Sequence, residues 1–397
     1  LLLAPFSDST LRYAGCDFRP MATFTVGSLT ERLTSLDAFR GLTVASMMLV
    51  NNPGDWGDIY PPLEHAAWSG WTFTDIIFPF FLWMVGVALT LSTAKRIEQG
   101  ANREKLLAHV VRRSVLIFAL GLFLAGFPYF HLSHIRIPGV LPRIAVCYFI
   151  ASLIFLYSKW RTQVASIVVL FASYWLLMML VPLPCAGTSR FDINCNFARY
   201  VDGLLLSGHM WSQTKVWDPE GIVSTLPAIA TTLFGVLTGT LLRQKLSSEK
   251  KAIFLLGIGA GLFALGQVAN IWMPINKSLW TVSFSLLMAG LATMEFAVLY
   301  WVIDIRGYRK WATPLVIYGT NAIVVFVLSG VVGRLLGLVK VTGPDGQPED
   351  LVDRIYQTVF LPLASPINAS LLYAIAFVAL FFLISWFLYR RRWFVRL

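Results

Sequence analysis

Apolar residues in this chain run in blocks of about twenty, the length a helix needs to cross a bilayer, and not in alternating or three-to-four-residue stripes. Ten blocks predict ten helices, over 37–52, 71–94, 107–127, 140–157, 162–181, 221–242, 252–273, 279–303, 311–337 and 369–389. The first is the least regular: it opens with Asp37 and Arg40 and ends in Asn51-Asn52-Pro53. Pro79 falls inside the second block, where it predicts a bend and a carbonyl left unpaired at Asp75. Pro227 and Pro314 are expected to interrupt the sixth and ninth. The pattern describes an all-α, polytopic integral membrane bundle.

Composition agrees. Apolar residues make up 57% of the 397 and charged ones 13%, with a mean hydropathy of +0.68; a soluble domain carries roughly twice that charge. The polar connections divide into two kinds. Short basic ones hold Lys95, Arg96, Arg112, Arg113, Lys159, Arg161, Arg243, Lys245, Arg306, Arg309 and Arg390–Arg392, whereas the 52–70 connection carries Asp55, Asp58 and Glu64. The positive-inside rule therefore predicts both termini in the cytoplasm and the long 52–70, 182–220 and 338–368 connections outside. The net charge of +11 is accounted for by basic loops meeting anionic membrane lipid, so no nucleic-acid partner is implied. Residues 1–30 read as a tail, with Met21 resembling a natural start, and 31–397 as one membrane domain. Cys185 and Cys195 share the long outside connection and are expected to pair; Cys147 lies in a helix and Cys16 in the tail. No Cys/His spacing suggests a metal site.

Candidate chemistry gathers at the outer face. His65 precedes the second helix, and Trp68 and Trp71 follow at interfacial depth. A histidine there suits a general base, against the alternative of a solvated loop residue. Asp75 sits one turn into the second helix, where a carboxylate needs a partner or a polar cavity. On one continuous helix, ten residues would hold His65 and Asp75 about 15 Å apart. They meet only if 65–70 folds back, which Gly70 allows. Glu295, Gln267, Asn270, Asn321 and Arg334 lie in or near helices and are expected to bond between them.

Several motifs then resemble a known family. Arg32-Leu33-Thr34-Ser35-Leu36-Asp37-Ala38-Phe39-Arg40-Gly41 is similar to the opening signature of the transmembrane acyltransferases typified by heparan-alpha-glucosaminide N-acetyltransferase. His65-Ala66-Ala67-Trp68, Gly70-Trp71-Thr72 and Asp75-Ile76-Ile77-Phe78-Pro79 follow in the family's order. Trp217-Asp218-Pro219-Glu220-Gly221, Pro274-Ile275-Asn276-Lys277-Ser278-Leu279-Trp280 and Tyr318-Gly319-Thr320-Asn321-Ala322-Ile323 extend the likeness, which spans about 31–390. The resemblance implies transfer of an acetyl group from cytoplasmic acetyl-CoA, a co-substrate, to an amine of a glucosamine-type sugar or glycan across the membrane. Its catalytic histidine corresponds to His65, its asparagine at the end of the first helix to Asn51, and its acidic residue to Asp75. His65 would serve as base or as acetyl carrier. Arg143 corresponds to the family's fourth-helix arginine, although Pro142 replaces the usual Gln before it. Arg143, Arg40 and Asn321 are the candidate donor-binding residues, with Arg96, Arg243 and Lys245 as further cations on the inner edge. The resemblance also implies a bacterial inner membrane location and admits a homodimer; the animal enzymes' large lumenal N-terminal domain has no counterpart in this reading. A sugar transporter is the competing class, though the two halves show no evident inverted repeat.

Overall fold

The computed structural model describes residues 33–185, 189–343 and 346–395. The expected tail at 1–30, with Met21 and Cys16, lies outside the described residues.

Each predicted block becomes helix. In chain order these are α1 (Thr34–Asn51), α2 (Phe73–Glu98), α3 (Arg103–Gly126), α4 (Val140–Tyr157), α5 (Trp160–Leu180), α6 (Phe197–Leu205), α7 (Thr225–Leu242), α8 (Ser248–Ala269), α9 (Val282–Leu299), α10 (Thr313–Thr320), α11 (Ala322–Leu338), α12 (Leu351–Ile355) and α13 (Pro366–Arg390). Among the described residues eight helices are long and apolar enough to cross a membrane, or nine when the broken pair α10–α11 counts as one. The first predicted span forms α1, which carries Asp37 and Arg40 in its opening turns and is not among those eight.

α2, α7 and α9 form the centre. Phe78, Leu82, Leu233, Phe284 and Leu287 bury one shared core there, and Phe39 of α1 joins Phe80, Trp83 and Phe296 in a second. α2 and α7 touch backbone to backbone. A Cβ on Gly86 would fall 2.0 Å from the Thr232 carbonyl, and one on Gly235 would fall 1.9 Å from that of Trp83. Only glycine permits this approach, as at close helix crossings in membranes. α3, α5 and α8 instead leave Val115, Val168, Val169, Ile253 and Phe254 exposed. In water these faces would aggregate; in a bilayer they meet lipid tails as apolar as themselves.

Pro227 and Pro314 act differently from expectation. α2 continues through Pro79 as one element, while Pro227 and Pro314 sit in the first turns of α7 and α10. The first turn has amide hydrogens with no intrahelical acceptor, so proline costs little there. The ninth span breaks at Asn321, where its two halves meet at 67°.

The long connections are structured. Residues 182–220 contain α6 and the expected Cys185–Cys195 disulfide. Residues 338–368 hold α12 and a two-stranded antiparallel ribbon pairing β1 (Lys340–Thr342) with β2 (Pro348–Asp350).

Candidate functional site

The fold-back that would join His65 to Asp75 is present. Gly70 adopts φ +101°, a left-handed conformation that suits glycine, and its amide donates to the Ile275 carbonyl at 2.7 Å. Thr72 caps α2, and its hydroxyl donates back to the Glu64 carbonyl at 2.5 Å. Asp75, in the third position of the helix, completes a capping box by accepting the Thr72 amide at 3.0 Å. The same oxygen accepts the Ala66 amide at 3.1 Å, and the other lies 2.7 Å from His65 Nδ1. The capping carboxylate is thus also the histidine's partner.

This geometry fixes the imidazole. Asp75 is fully buried and accepts from its neighbours, so Nδ1 carries the hydrogen donated to it, and in the neutral ring the lone pair falls on Nε2. The His65 side chain is 52% exposed, so that lone pair is within reach of a substrate.

Lys277 completes the cluster. It projects from the α8–α9 connection, where Asn276 accepts the Leu279 amide at 2.8 Å, Thr281 Oγ1 accepts the Asn276 amide at 3.1 Å and the Lys277 carbonyl accepts the Trp280 amide at 3.0 Å. Its Nζ lies 3.0 Å from Nδ1 and 3.1 Å from Nε2 of His65, and 3.6 Å from Asp75 Oδ1. Burial lowers its pKa below that of an ordinary lysine, with Asp75 and Glu220 pulling the other way. Sequence reading quoted Lys277 within a motif but gave it no role. The available signal was its side: the charge pattern puts this connection outside, where basic residues are scarce.

A second network braces the neighbouring loops. Arg136 makes a two-pronged contact with Asp218, at 2.8 and 2.6 Å, and reaches Glu220 at 2.5 Å. Burial opposes the Arg136 charge, but these carboxylates more than offset it and hold its pKa above the ordinary value. Asp202 accepts the Asp218 and Ile222 amides at 3.2 and 3.0 Å; burial pushes its carboxyl up to about 6. Trp68 donates to the Phe191 carbonyl at 2.9 Å and stacks edge-on with Trp217 at 5.2 Å.

The remaining sequence candidates lie elsewhere. Asn51 ends α1 in the wall of a cavity of about 770 Å³, together with Asn52, Trp56, Arg136, Trp211 and Arg334. His65 is not in that wall. Arg143 is buried: one terminal nitrogen reaches Ser224 Oγ and, at 3.1 Å, the Gly221 carbonyl, and its guanidinium lies 5.1 Å over Trp280. At the other end of the bundle, Arg40 contacts Asp37 at 3.1 Å and the Gly319 carbonyl at 3.4 Å. Arg243 pairs with Glu98. Asn321 donates to the Trp393 carbonyl at 3.0 Å and accepts the Val395 amide at 3.1 Å, fastening the C-terminal segment to the helix break. The structure thus joins His65 to Asp75, keeps Asn51 nearby in a separate cavity wall, and distributes Arg143, Arg40 and Asn321 along the bundle.

Known proteins resemble this sequence. The human heparan-alpha-glucosaminide N-acetyltransferase is 28% identical over 368 residues, 78% of this chain and 54% of that protein. The mouse protein of the same name is 28% identical over 369 residues, 78% and 55% of the two chains. The chain spans about half the length of these curated relatives. The sequence model of the family "Heparan-alpha-glucosaminide N-acetyltransferase, catalytic" matches residues 32–272, from the start of α1 to just beyond α8. With that match covering more than half its length, the chain belongs to the heparan-alpha-glucosaminide N-acetyltransferase catalytic family.

Proposed function

We propose that this protein is a transmembrane acetyltransferase that moves the acetyl group of acetyl-CoA to the amine of a glucosamine-type sugar or glycan, with His65 as the base. The observation that carries the reading is the 2.7 Å His65–Asp75 pair at the mouth of α2, in a chain of this family. An amine attacks a thioester only with a free lone pair, and it must shed a proton as the new bond forms. His65 is half exposed and its Nδ1 faces Asp75, which suits Nε2 to that task. The Asn51 carboxamide, in the cavity wall, suits a hydrogen bond to the thioester oxygen or to the acceptor.

The cavity supports a sugar acceptor. Its 770 Å³ exceeds what one sugar ring needs; Trp56 and Trp211 offer flat faces for sugar C–H groups, and Arg334 brings a cation without a carboxylate partner among the described residues. Acetyl-CoA is made in the cytoplasm, and the charge pattern puts His65 at the outer face, so the acyl arm would reach through the bundle. The setting is a multi-pass bacterial inner membrane protein.

The test is transfer of labelled acetyl from acetyl-CoA to glucosamine and short amino-sugar glycans by purified wild type and His65→Ala. Labelled N-acetyl product with wild type alone supports the reading, and an acetyl group found on the His65 peptide would make the histidine a carrier. The break at Asn321 is the feature that most favours a transporter. Uptake of the amino sugar into proteoliposomes, with no CoA released, would replace the enzyme with that class.

A further inference from the structure

Asp75 does not need Lys277. Its two oxygens already accept from His65 and from the Ala66 and Thr72 amides, and Nζ stands 3.6 Å away, beyond a good hydrogen bond. Partial burial of an ammonium is costly, and a simple counter-ion for Asp75 would sit closer. The side chain instead reaches past the carboxylate to both imidazole nitrogens, at 3.0 and 3.1 Å. Its connection is fixed by its own network of hydrogen bonds and is bonded through Ile275 to the Gly70 turn that follows His65. Both partners of the Lys277–His65 contact are therefore held in place by backbone.

At 3.0 and 3.1 Å from the two ring nitrogens, Nζ lies over the imidazole face, beside the base, and it supplies what the reaction proposed above leaves undone. Attack of an amine on a thioester creates two proton demands. The attacking nitrogen must lose a proton, and the departing sulfur, a strong base relative to a carboxamide product, is best expelled as a thiol. His65 meets the first and cannot meet the second in the same instant.

We propose that Lys277 is the general acid of the transfer, protonating the sulfur as it leaves. This rests on His65 being the base. The acceptor amine forms the N–C bond at the acetyl carbon, and its proton passes to His65 Nε2. The C–S bond breaks, its electron pair stays on sulfur, and an Nζ proton of Lys277 goes with it. The half-exposed imidazolium then loses its proton to solvent and the neutral Lys277 amine regains one from solvent, restoring both residues. Thioester and amine have become amide and thiol, with no proton left over. Around Nζ, burial and Arg143 from α4 favour release of the proton, while Asp75 from α2 and Glu220 from the connection before α7 hold the ammonium charged until it is needed. Burial makes the ammonium more acidic than that of a solvated lysine.

The test compares donors with different leaving groups in wild type, Lys277→Met and Lys277→Arg, the last keeping charge and length should the methionine variant fail to fold. Acetyl-CoA needs its sulfur protonated; an acetyl thioester of an aryl thiol leaves unaided. The expected result with acetyl-CoA is a fall in kcat of about 10²-fold in both variants, as for loss of one general acid, with KM little changed. With the aryl thioester the loss should shrink to a few-fold, and added methylammonium should restore part of the Lys277→Met rate. Equal losses with both donors and no rescue would make Lys277 structural and overturn the proposal. Wild type inactive with either donor would instead remove the acetyl-transfer reading itself.

Discussion

The two ends of the bundle are built from opposite materials. At the His65 end, buried carboxylates, a buried or half-buried set of cations and three structured connections interlock: Asp75 with His65 and Lys277, Asp218 and Glu220 with Arg136, and Asp202 with the Asp218 and Ile222 amides. At the other end the helices join through short connections. Arg243–Glu98 lies toward solvent. Buried Asp37 pairs with Arg40 one turn along its own helix, Asp304 accepts the Ser35 amide, and Asn321 binds the backbone of Trp393 and Val395, so these bonds are local or to backbone. Buried, charged and mutually bonded groups are costly to assemble and are retained where they do chemistry. Partly exposed pairs and a backbone latch need only hold helices together. On the proposed function, the difference goes with reactivity at one end and fastening at the other.

The sharpest way to break that division is to remove His65. His65→Ala should lower acetyl transfer by roughly 10²–10⁴-fold. Because the side chain is half exposed, its thermal unfolding in detergent should move little. An equal fall in both would make the histidine a structural residue. Asp75→Asn should cost less activity than His65→Ala, yet more stability, since the carboxylate both orients the ring and caps α2. The loss of stability should be about 1–3 kcal/mol, read from the same melting curves.

The disulfide tests the stiffness of the outer connections. It closes a loop of 10 residues, so replacing both Cys185 and Cys195 with Ser should lower stability by about 2–3 kcal/mol. At the opposite end, Asn321→Ala should remove about 1–2 kcal/mol by freeing residues 393–395, while transfer stays within a few-fold of wild type. A large catalytic loss there would mean that the two ends are coupled.

The smallest effect is a slope. Asp202 titrates at about 6 when folded against an ordinary 3.8, so between those values the folded chain holds more protons than the unfolded one. Stability should therefore fall as pH rises from about 4 to about 6, and Asp202→Asn should flatten that fall. A melting temperature that rises across the window in wild type alone would reverse the assignment.

How much of this was readable beforehand follows the same division. Helices embedded in lipid announce themselves, because every turn must be apolar and twenty such residues in a row have few other uses. The His65–Asp75 pair was legible as a choice between two geometries, and Gly70 named the condition that decides it. Lys277 was not legible, because the 212 residues separating it from His65 are bridged by packing between the Gly70 turn and the α8–α9 connection, which no local pattern encodes. The break at Asn321 was misassigned to Pro314 for a related reason. Proline disrupts a helix interior but not its first turn, and which of the two it occupies depends on where the helix begins.

The central claim is that chemistry sits at the His65 end while the donor arrives from the other. Proteoliposomes with uniformly oriented protein test it most directly, with acetyl-CoA confined to the face bearing the basic loops and amino sugar to the face bearing His65. The account predicts N-acetyl sugar on the His65 side and CoA on the donor side. Product only when both substrates share one compartment would contradict it.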